Sequence, residues 1–232
     1  MTCPASAVLT PGRDMRSPRA IAAAEWGTAA HYFKQHGKAP KGWGGNELFM
    51  ERMSYMNRKH WWPSGAGEHE VTCALNVDTW TLEVYDGPED GASAWKDSRD
   101  DACVTGTVDW IGRDWNERLT VDDLKTGTYV PDPTKAQFLC YATFASLRHD
   151  EPVEELSATH FPRYPKTSAP VRYYVPRGYD ISALLAIFKE ELRATYAEVK
   201  RLKRRLPVIK EDVKPDPDAC HFCPAKEPCL AL

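Results

Sequence analysis

The stretch Val121-Asp122-Asp123-Leu124-Lys125-Thr126-Gly127 sets an acid and a lysine two positions apart. On an extended strand, residues two apart point to the same face. Asp123 can then hold a hard cation while Lys125 works on the water or phosphate beside it. That arrangement suits metal-assisted phosphodiester hydrolysis. Asp122 falls on the opposite face. Ordinary surface strands also carry an acid and a lysine at this spacing, so the reading depends on partners elsewhere. Asp109 is one: it lies in CVTGTVDWIG, between Val108 and Trp110-Ile111, an apolar setting for a solvated acid. Arg113 to Glu117 is a hairpin-sized connection. Asp109 and Asp123 are therefore expected to face each other on neighbouring strands. Two facing carboxylates repel unless a cation sits between them.

Other polar residues recur at helical spacing. Gly27 and His31 are one turn apart in the alanine-rich run RAIAAAEWGTAAHYFKQHG. A glycine there admits another backbone or a ligand close to the imidazole; the plainer reading is a helix-packing glycine and an ordinary histidine. Gln137 and Tyr141 are also four apart. Both can hydrogen-bond to a phosphate or to a metal-bound water, or simply form a polar helix edge.

Cys220, Cys223 and Cys229 form a compact C-x2-C-x5-C unit. Three thiolates this close point to metal ligation. A tetrahedral metal or an iron–sulfur cluster wants a fourth ligand, and Cys3 and His221 are the candidates. Cys73, Cys103 and Cys140 fall within expected strands or on an inward helix stripe, which suits buried thiols. Spacing alone does not separate zinc from an iron–sulfur cluster. The odd total of seven cysteines argues against a disulfide framework.

The elements that must position these residues follow from pattern. Residues 1–16 read as an irregular arm. Ser17-Pro18 starts a helix that runs to about Gln35 and stops at Gly37. A second helix spans about Asn46 to Lys59, followed by Trp61-Trp62-Pro63. Tryptophans exposed here could stack on bases, though core packing is the commoner use. HEVTCALNV and TWTLEVYDG alternate as strands, Asp86 to Asp101 reads as a polar loop, and the Asp109 and Asp123 segments are the next two strands. Thr134 opens a helix to about Arg148, with Ala136, Leu139, Cys140, Thr143, Phe144 and Leu147 facing inward. VEELSATHFPRYP and APVRYYVPRG are two further strands, a hairpin through Lys166-Thr167-Ser168. A long helix from Ile181 to Leu206 ends in Lys200, Arg201, Lys203, Arg204 and Arg205. That basic run exceeds what a helix C-terminus needs and suggests a polyanion; a solvated face is the alternative. From Pro207 the chain reads as a linker into the cysteine unit.

At 232 residues the chain is long enough to bury its own core. Net charge is −3, so a nucleic-acid partner must be met by a local patch. No apolar run approaches the roughly 20 residues of a membrane span, and no signal peptide is visible. A soluble, cytoplasmic protein is expected, with oligomeric state open.

Together these pieces resemble the RecB-like branch of the PD-(D/E)XK nuclease superfamily. The similarity spans nearly the whole chain. The family's glycine-x-x-x-histidine helix is matched by Gly27 and His31. Its G-x-V/I-D strand is matched by Gly106-Thr107-Val108-Asp109, its D/E-x-K-x-G strand by Asp123-Leu124-Lys125-Thr126-Gly127, and its Q-x-x-x-Y helix by Gln137 and Tyr141. The iron–sulfur members are similar to AddB and to CRISPR-associated RecB-like nucleases. They use one N-terminal cysteine and a C-terminal C-x2-C-x5-C set, matched by Cys3, Cys220, Cys223 and Cys229. CPAS, AAAEWGTAAH and the C-x-F-C-P-A-K segment look most similar to phage and prophage members. Trp26, inserted before the glycine, departs from that pattern and leaves the role of Glu25 open.

The resemblance implies an α/β fold with a restriction-endonuclease-like core. A mixed central sheet would be flanked by helices, in a single domain over 1–232. Residues 1–16 and 207–232 would form a region joined by a [4Fe–4S] cluster, with zinc as the alternative. His31, Asp109, Asp123 and the Leu124 carbonyl would hold Mg²⁺ or Mn²⁺. Lys125 would orient water or offset developing charge, and Gln137 and Tyr141 would place the scissile strand. The implied activity is a DNA exonuclease, acting on single strands or duplex ends in recombination, repair or replication of a phage or prophage in a bacterial cytoplasm. Recombination or replication proteins would be its partners. The basic end of the last helix, Lys200, Arg201, Lys203, Arg204 and Arg205, is a separate candidate for DNA contact. The alternative is a non-catalytic cysteine-metal DNA-binding or assembly protein on a nuclease fold.

Overall fold

The structure is a computed structural model and describes residues 18–58, 67–99, 102–127, 129–162 and 169–205. The chain divides into two compact units, Pro18–Ala186 and Met1–Ser17 with Ile187–Leu232. Among the described residues no helix is long and apolar enough to cross a membrane.

In the first unit, helix α1 spans Pro18–His36. Its alanines favour helix. Gly37 ends it in the left-handed region (φ 68°), its N–H donating to Phe33 O at 2.8 Å. Helix α2 spans Glu47–Arg58. Asn46 caps it, Oδ1 accepting the Phe49 N–H at 3.0 Å. The two helices share a core of Trp26, Ala30, Phe33, Phe49, Met53 and Met56, which also takes in Leu124 and Phe161. Trp26 meets Trp43 and Phe49 edge-on, with centroids 5.7 and 5.2 Å away. Trp43 is thus a packing residue; Trp61 and Trp62 lie outside the described residues.

Among the described residues, six strands make one sheet in the order β2-β1-β3-β4-β5-β6. They are β1 (Gly67–Asn76), β2 (Thr81–Val84), β3 (Cys103–Arg113), β4 (Leu119–Lys125), β5 (Glu155–His160) and β6 (Val171–Tyr174). The sheet is mixed: β4 pairs with β3 antiparallel and with β5 parallel, and β5 pairs with β6 antiparallel. The expected hairpin thus pairs as read, while the Lys166 to Ser168 turn lies outside the described residues. Between β2 and β3 the chain is not all loop. A 3-10 turn (Glu89–Gly91) leads into α3 (Ala92–Asp97), a helix too short to show periodicity and without a side-chain cap.

Parallel neighbours cannot be joined by a tight turn. The β4–β5 crossover contains helix α4 (Ala136–His149), which buries Phe138, Leu139, Cys140, Ala142, Thr143, Phe144 and Ala145. Leu147, expected to face inward, is exposed. The buried band stops at Ala145, and Asp150 ends the helix in the left-handed region. Helix α5 (Ile181–Arg205) starts in this unit and continues into the second. In the second unit Arg201 pairs with Glu198 one turn before it, at 2.8 and 2.9 Å. Cys3, Cys220, Cys223 and Cys229, and with them the proposed cluster, lie outside the described residues.

Candidate metal centre

β4 is the middle of the site, and its two faces differ. Asp122 is fully buried and turned away from Asp123 and Lys125. It accepts hydrogen bonds from Ser157 Oγ at 2.5 Å and Thr159 Oγ1 at 2.7 Å, with Arg172 Nε at 3.6 Å. Burial raises its carboxyl above the usual range, with Arg172 and the two hydroxyls pulling the other way. This acid anchors β4 to β5.

On the other face, Lys125 Nζ lies 2.6 Å from Asp123 Oδ2. The same ammonium stands 5.5 Å from the centre of the Phe138 ring on α4, within cation–π range. Asp123 Oδ2 is buried with no well-aligned hydrogen bond. The β3–β4 register runs from Arg113↔Leu119 to Trp110↔Asp122. One step further, it sets Asp109 opposite Asp123. Burial first, then the Asp109 charge, push the Asp123 carboxyl up to about 7, and Lys125 and His31 only partly offset them.

His31 reaches this point from α1. Its Nε2 donates to the Leu124 carbonyl at 3.1 Å. Its Nδ1 lies 3.2 Å from Glu70 Oε1 and 3.1 Å from Asp109 Oδ1. Every neighbour is an acceptor, so the ring carries both protons here. Burial alone would lower its pKa; Asp109 and Glu70 outweigh burial and hold it well above the ordinary imidazole value. The other Asp109 oxygen accepts the Leu124 N–H at 2.6 Å. Gly27 faces the exit of β4. A Cβ there would stand 3.2 Å from Thr126 Oγ1. After β4, Phe161 N–H donates to Lys125 O at 2.7 Å and His160 Nε2 to Gly127 O at 2.8 Å, which fixes the exit of the strand.

Glu70 is a site residue that pattern reading did not single out. Its carboxylate, the His31 imidazole and Asp109 bring ligand atoms within 4.8 Å of one another. Glu70 has φ 52°, a costly value for a non-glycine residue. The β1–β3 ladder passes from His69↔Trp110 to Val71↔Val108, and the Glu70/Asp109 pair between them is missing. The pleat breaks where the two carboxylates meet. That register crosses a long connection, so no local signal marks Glu70. This donor set fits a divalent cation: one imidazole, several carboxylate oxygens and a nearby carbonyl.

The cleft beside this centre holds about 400 Å³. Gly27, His31, Glu70, Leu124, Lys125 and Gly127 line it. Gln137 and Tyr141 do not. They lie on α4 and bond to each other, Gln137 Nε2 donating to Tyr141 Oη at 2.9 Å. Tyr141 is a neutral phenol, its pKa pushed up by burial and by Asp123. Because Gln137 fills an acceptor position, the phenol proton remains available. Gly106 gives the ring room: a Cβ there would stand 3.1 Å from Tyr141 Cε1 and 3.2 Å from Phe144 Cε2. Trp26 is core and Glu25 is exposed. The basic residues at the end of α5 belong to the other unit.

No curated protein matches the chain. Among solved structures it is similar to that described as "Crystal structure of SSO0001", at 14% identity over 99% of this chain and 82% of that one, with a TM-score of 0.38. The family model for the PD-(D/E)XK nuclease superfamily matches residues 1–230. With that match spanning almost its whole length, the chain belongs to the PD-(D/E)XK nuclease superfamily.

Proposed function

We propose that the chain is a Mg²⁺- or Mn²⁺-dependent deoxyribonuclease of the RecB-like branch, working as an exonuclease on single strands or duplex ends. The observation that carries this reading is the meeting of His31, Glu70 and Asp109 beside the Leu124 backbone, with Asp123 and Lys125 adjoining. A divalent cation held there would lower the pKa of bound water and offset charge on the phosphate. His31, Asp109 and Asp123 would hold it, and Glu70 adds a carboxylate to that set. Cation binding requires His31 to release a proton from Nδ1, the atom that faces the carboxylates. Lys125, already beside Asp123, supplies a positive charge at the reacting phosphate. The Tyr141 hydroxyl donates a hydrogen bond to the substrate strand, and Gln137 holds the phenol in place.

Cys3, Cys220, Cys223 and Cys229 match the family's structural [4Fe–4S] set, with zinc as the alternative metal held by the same thiolates. We assign the whole of 1–232 to one nuclease domain, with the cysteine segments 1–16 and 207–232 closing it. The phage-type opening and closing motifs support a role in phage or prophage recombination, repair or replication in a bacterial cytoplasm, beside separately supplied recombination or replication proteins. The run Lys200 to Arg205 is its second DNA contact.

A time course on end-labelled single- and double-stranded DNA, linear and circular, with Mg²⁺ and with Mn²⁺, tests the activity. Exonuclease action predicts loss of linear DNA from its ends, with circles intact. Cleaved circles would make it an endonuclease. Tight DNA binding with no cleavage in any divalent metal would favour a non-catalytic binding protein.

A further inference from the structure

A second cleft, of about 380 Å³, adjoins the metal centre. Gln35 and Glu70 line both clefts. Gln35 follows His31 by one turn of α1, about 6 Å along the axis, comparable with the step between neighbouring phosphates in an extended strand. The rest of the second cleft comes from the strands that carry Glu70 and Asp109, further along each, and from elements outside the metal centre. Thr72 and Thr107 stand on β1 and β3, Ser93 and Lys96 on α3, and Tyr85 follows β2.

The polar groups here have unused capacity. Thr72 and Thr107 share a hydrogen bond between hydroxyls at 2.9 Å. Lys96 Nζ donates to Thr107 Oγ1 at 3.3 Å. An ammonium has three protons, and among the described residues no carboxylate pairs with this one. Gln35 Oε1 is buried without a hydrogen-bond partner. A lysine, four hydroxyls and an unused amide oxygen, with the Glu70 carboxylate on the side shared with the metal centre, suit a nucleotide: an anion for the cation and an N–H donor for the amide. At about 380 Å³ the cleft has room for about one nucleotide.

We propose that this cleft is the subsite for the nucleotide next to the scissile phosphate in a single DNA strand. Lys96 is its phosphate contact, and Gln35 accepts a hydrogen bond from the base. The inference rests on the nuclease reading and deepens it. It accounts for a short helix inserted between two strands, whose lysine turns toward the sheet.

The test uses the full chain, with Lys96→Ala and Lys96→Arg variants. Binding of a fluorescein-labelled single-stranded 12-mer is followed by anisotropy in Ca²⁺ across a salt series, and cleavage is followed separately in Mg²⁺. Removing one charge-assisted phosphate contact should weaken binding about tenfold. It should also flatten the slope of log K against log salt by about 0.7. Lys96→Arg should restore most of both, and in cleavage the loss should fall on KM. An unchanged affinity and slope in Lys96→Ala, with the wild type cleaving normally, overturns the subsite and leaves the nuclease reading intact. A wild type that neither binds nor cleaves DNA overturns both. Gln35→Leu gives a second reading: it should weaken binding while keeping the salt slope, since it removes no charge.

Discussion

His31 and Leu124 stand 93 positions apart in the chain, yet the imidazole Nε2 donates to the Leu124 carbonyl at 3.1 Å. The Leu124 N–H donates to Asp109 at 2.6 Å. One peptide plane on each side of a single residue thus locks the α1 imidazole and the β3 acid to the strand that carries Asp123 and Lys125. Leu124 acts through its backbone, while its side chain belongs to the helical core.

The two adjacent acids of β4 should separate cleanly in experiment. Asp123→Asn should lower DNA cleavage by about 10²–10³-fold or more. Asp122→Asn should be far milder per folded molecule. Asp122→Ala removes the acceptor shared by Ser157 and Thr159 and should cost about 1–3 kcal/mol in urea unfolding. Equal cleavage losses in the two Asn variants would mean that the faces are misassigned.

Without metal, pH should act on stability through the same centre. The folded-state pKa of Asp123 is raised, so its charged form penalises folding above about 7, and the penalty fades as pH falls toward the unfolded carboxylate value. His31 is raised as well: its contribution is complete below the ordinary imidazole value and is lost as pH rises through its folded pKa. Both effects have one sign. In EDTA, wild type should gain thermal stability relative to Asp123→Asn between pH 8 and pH 6. Mn²⁺ should raise the wild-type melting temperature more at pH 8 than at pH 6. Parallel melting curves for wild type and Asp123→Asn across that range would refute the coupling.

The two glycines of the motifs have different tolerances. Gly27→Ala meets only the rotatable Thr126 hydroxyl and gains helix propensity, so its stability should stay within about 1 kcal/mol of wild type. Gly106→Ala meets the rings of Tyr141 and Phe144 and must displace one of them. A phenol moved by about 1 Å should lower cleavage by up to about a hundredfold. Rates measured beside circular dichroism separate this from unfolding.

Cys73 and Cys140 should be inert thiols. Burial pushes both up to about 12. Neither should react with iodoacetamide at pH 8 until denaturant is added, as peptide mass mapping would report.

What pattern reading reached and what it missed divide along physical lines. β4 and its neighbours were legible because alternation and a hairpin-sized link specify which side chains face each other. α1 was legible from its alanines and its glycine stop. Glu70 was hidden because the β1–β3 register spans a long connection, and only that register makes it the neighbour of Asp109. The α3 helix was hidden because six residues show no period and no cap. Leu147 was misplaced because angular position says which way a side chain points and nothing about where the core ends. Gln35 repeats the His31 position one turn later, but an amide at that spacing is silent until a cleft is seen beside it.

The parallel pairing of β4 with β5 has a further consequence. Such a link needs a dozen or more residues, and the same length of chain presents Gln137 and Tyr141. Connectivity and the Gln137–Tyr141 hydrogen bond therefore share one helix. Insertions in the segments that flank α4 lengthen a loop, whereas a deletion within α4 unseats β5 and removes the polar pair at once. A deletion within α4 should therefore lower stability and remove the polar pair in the same step.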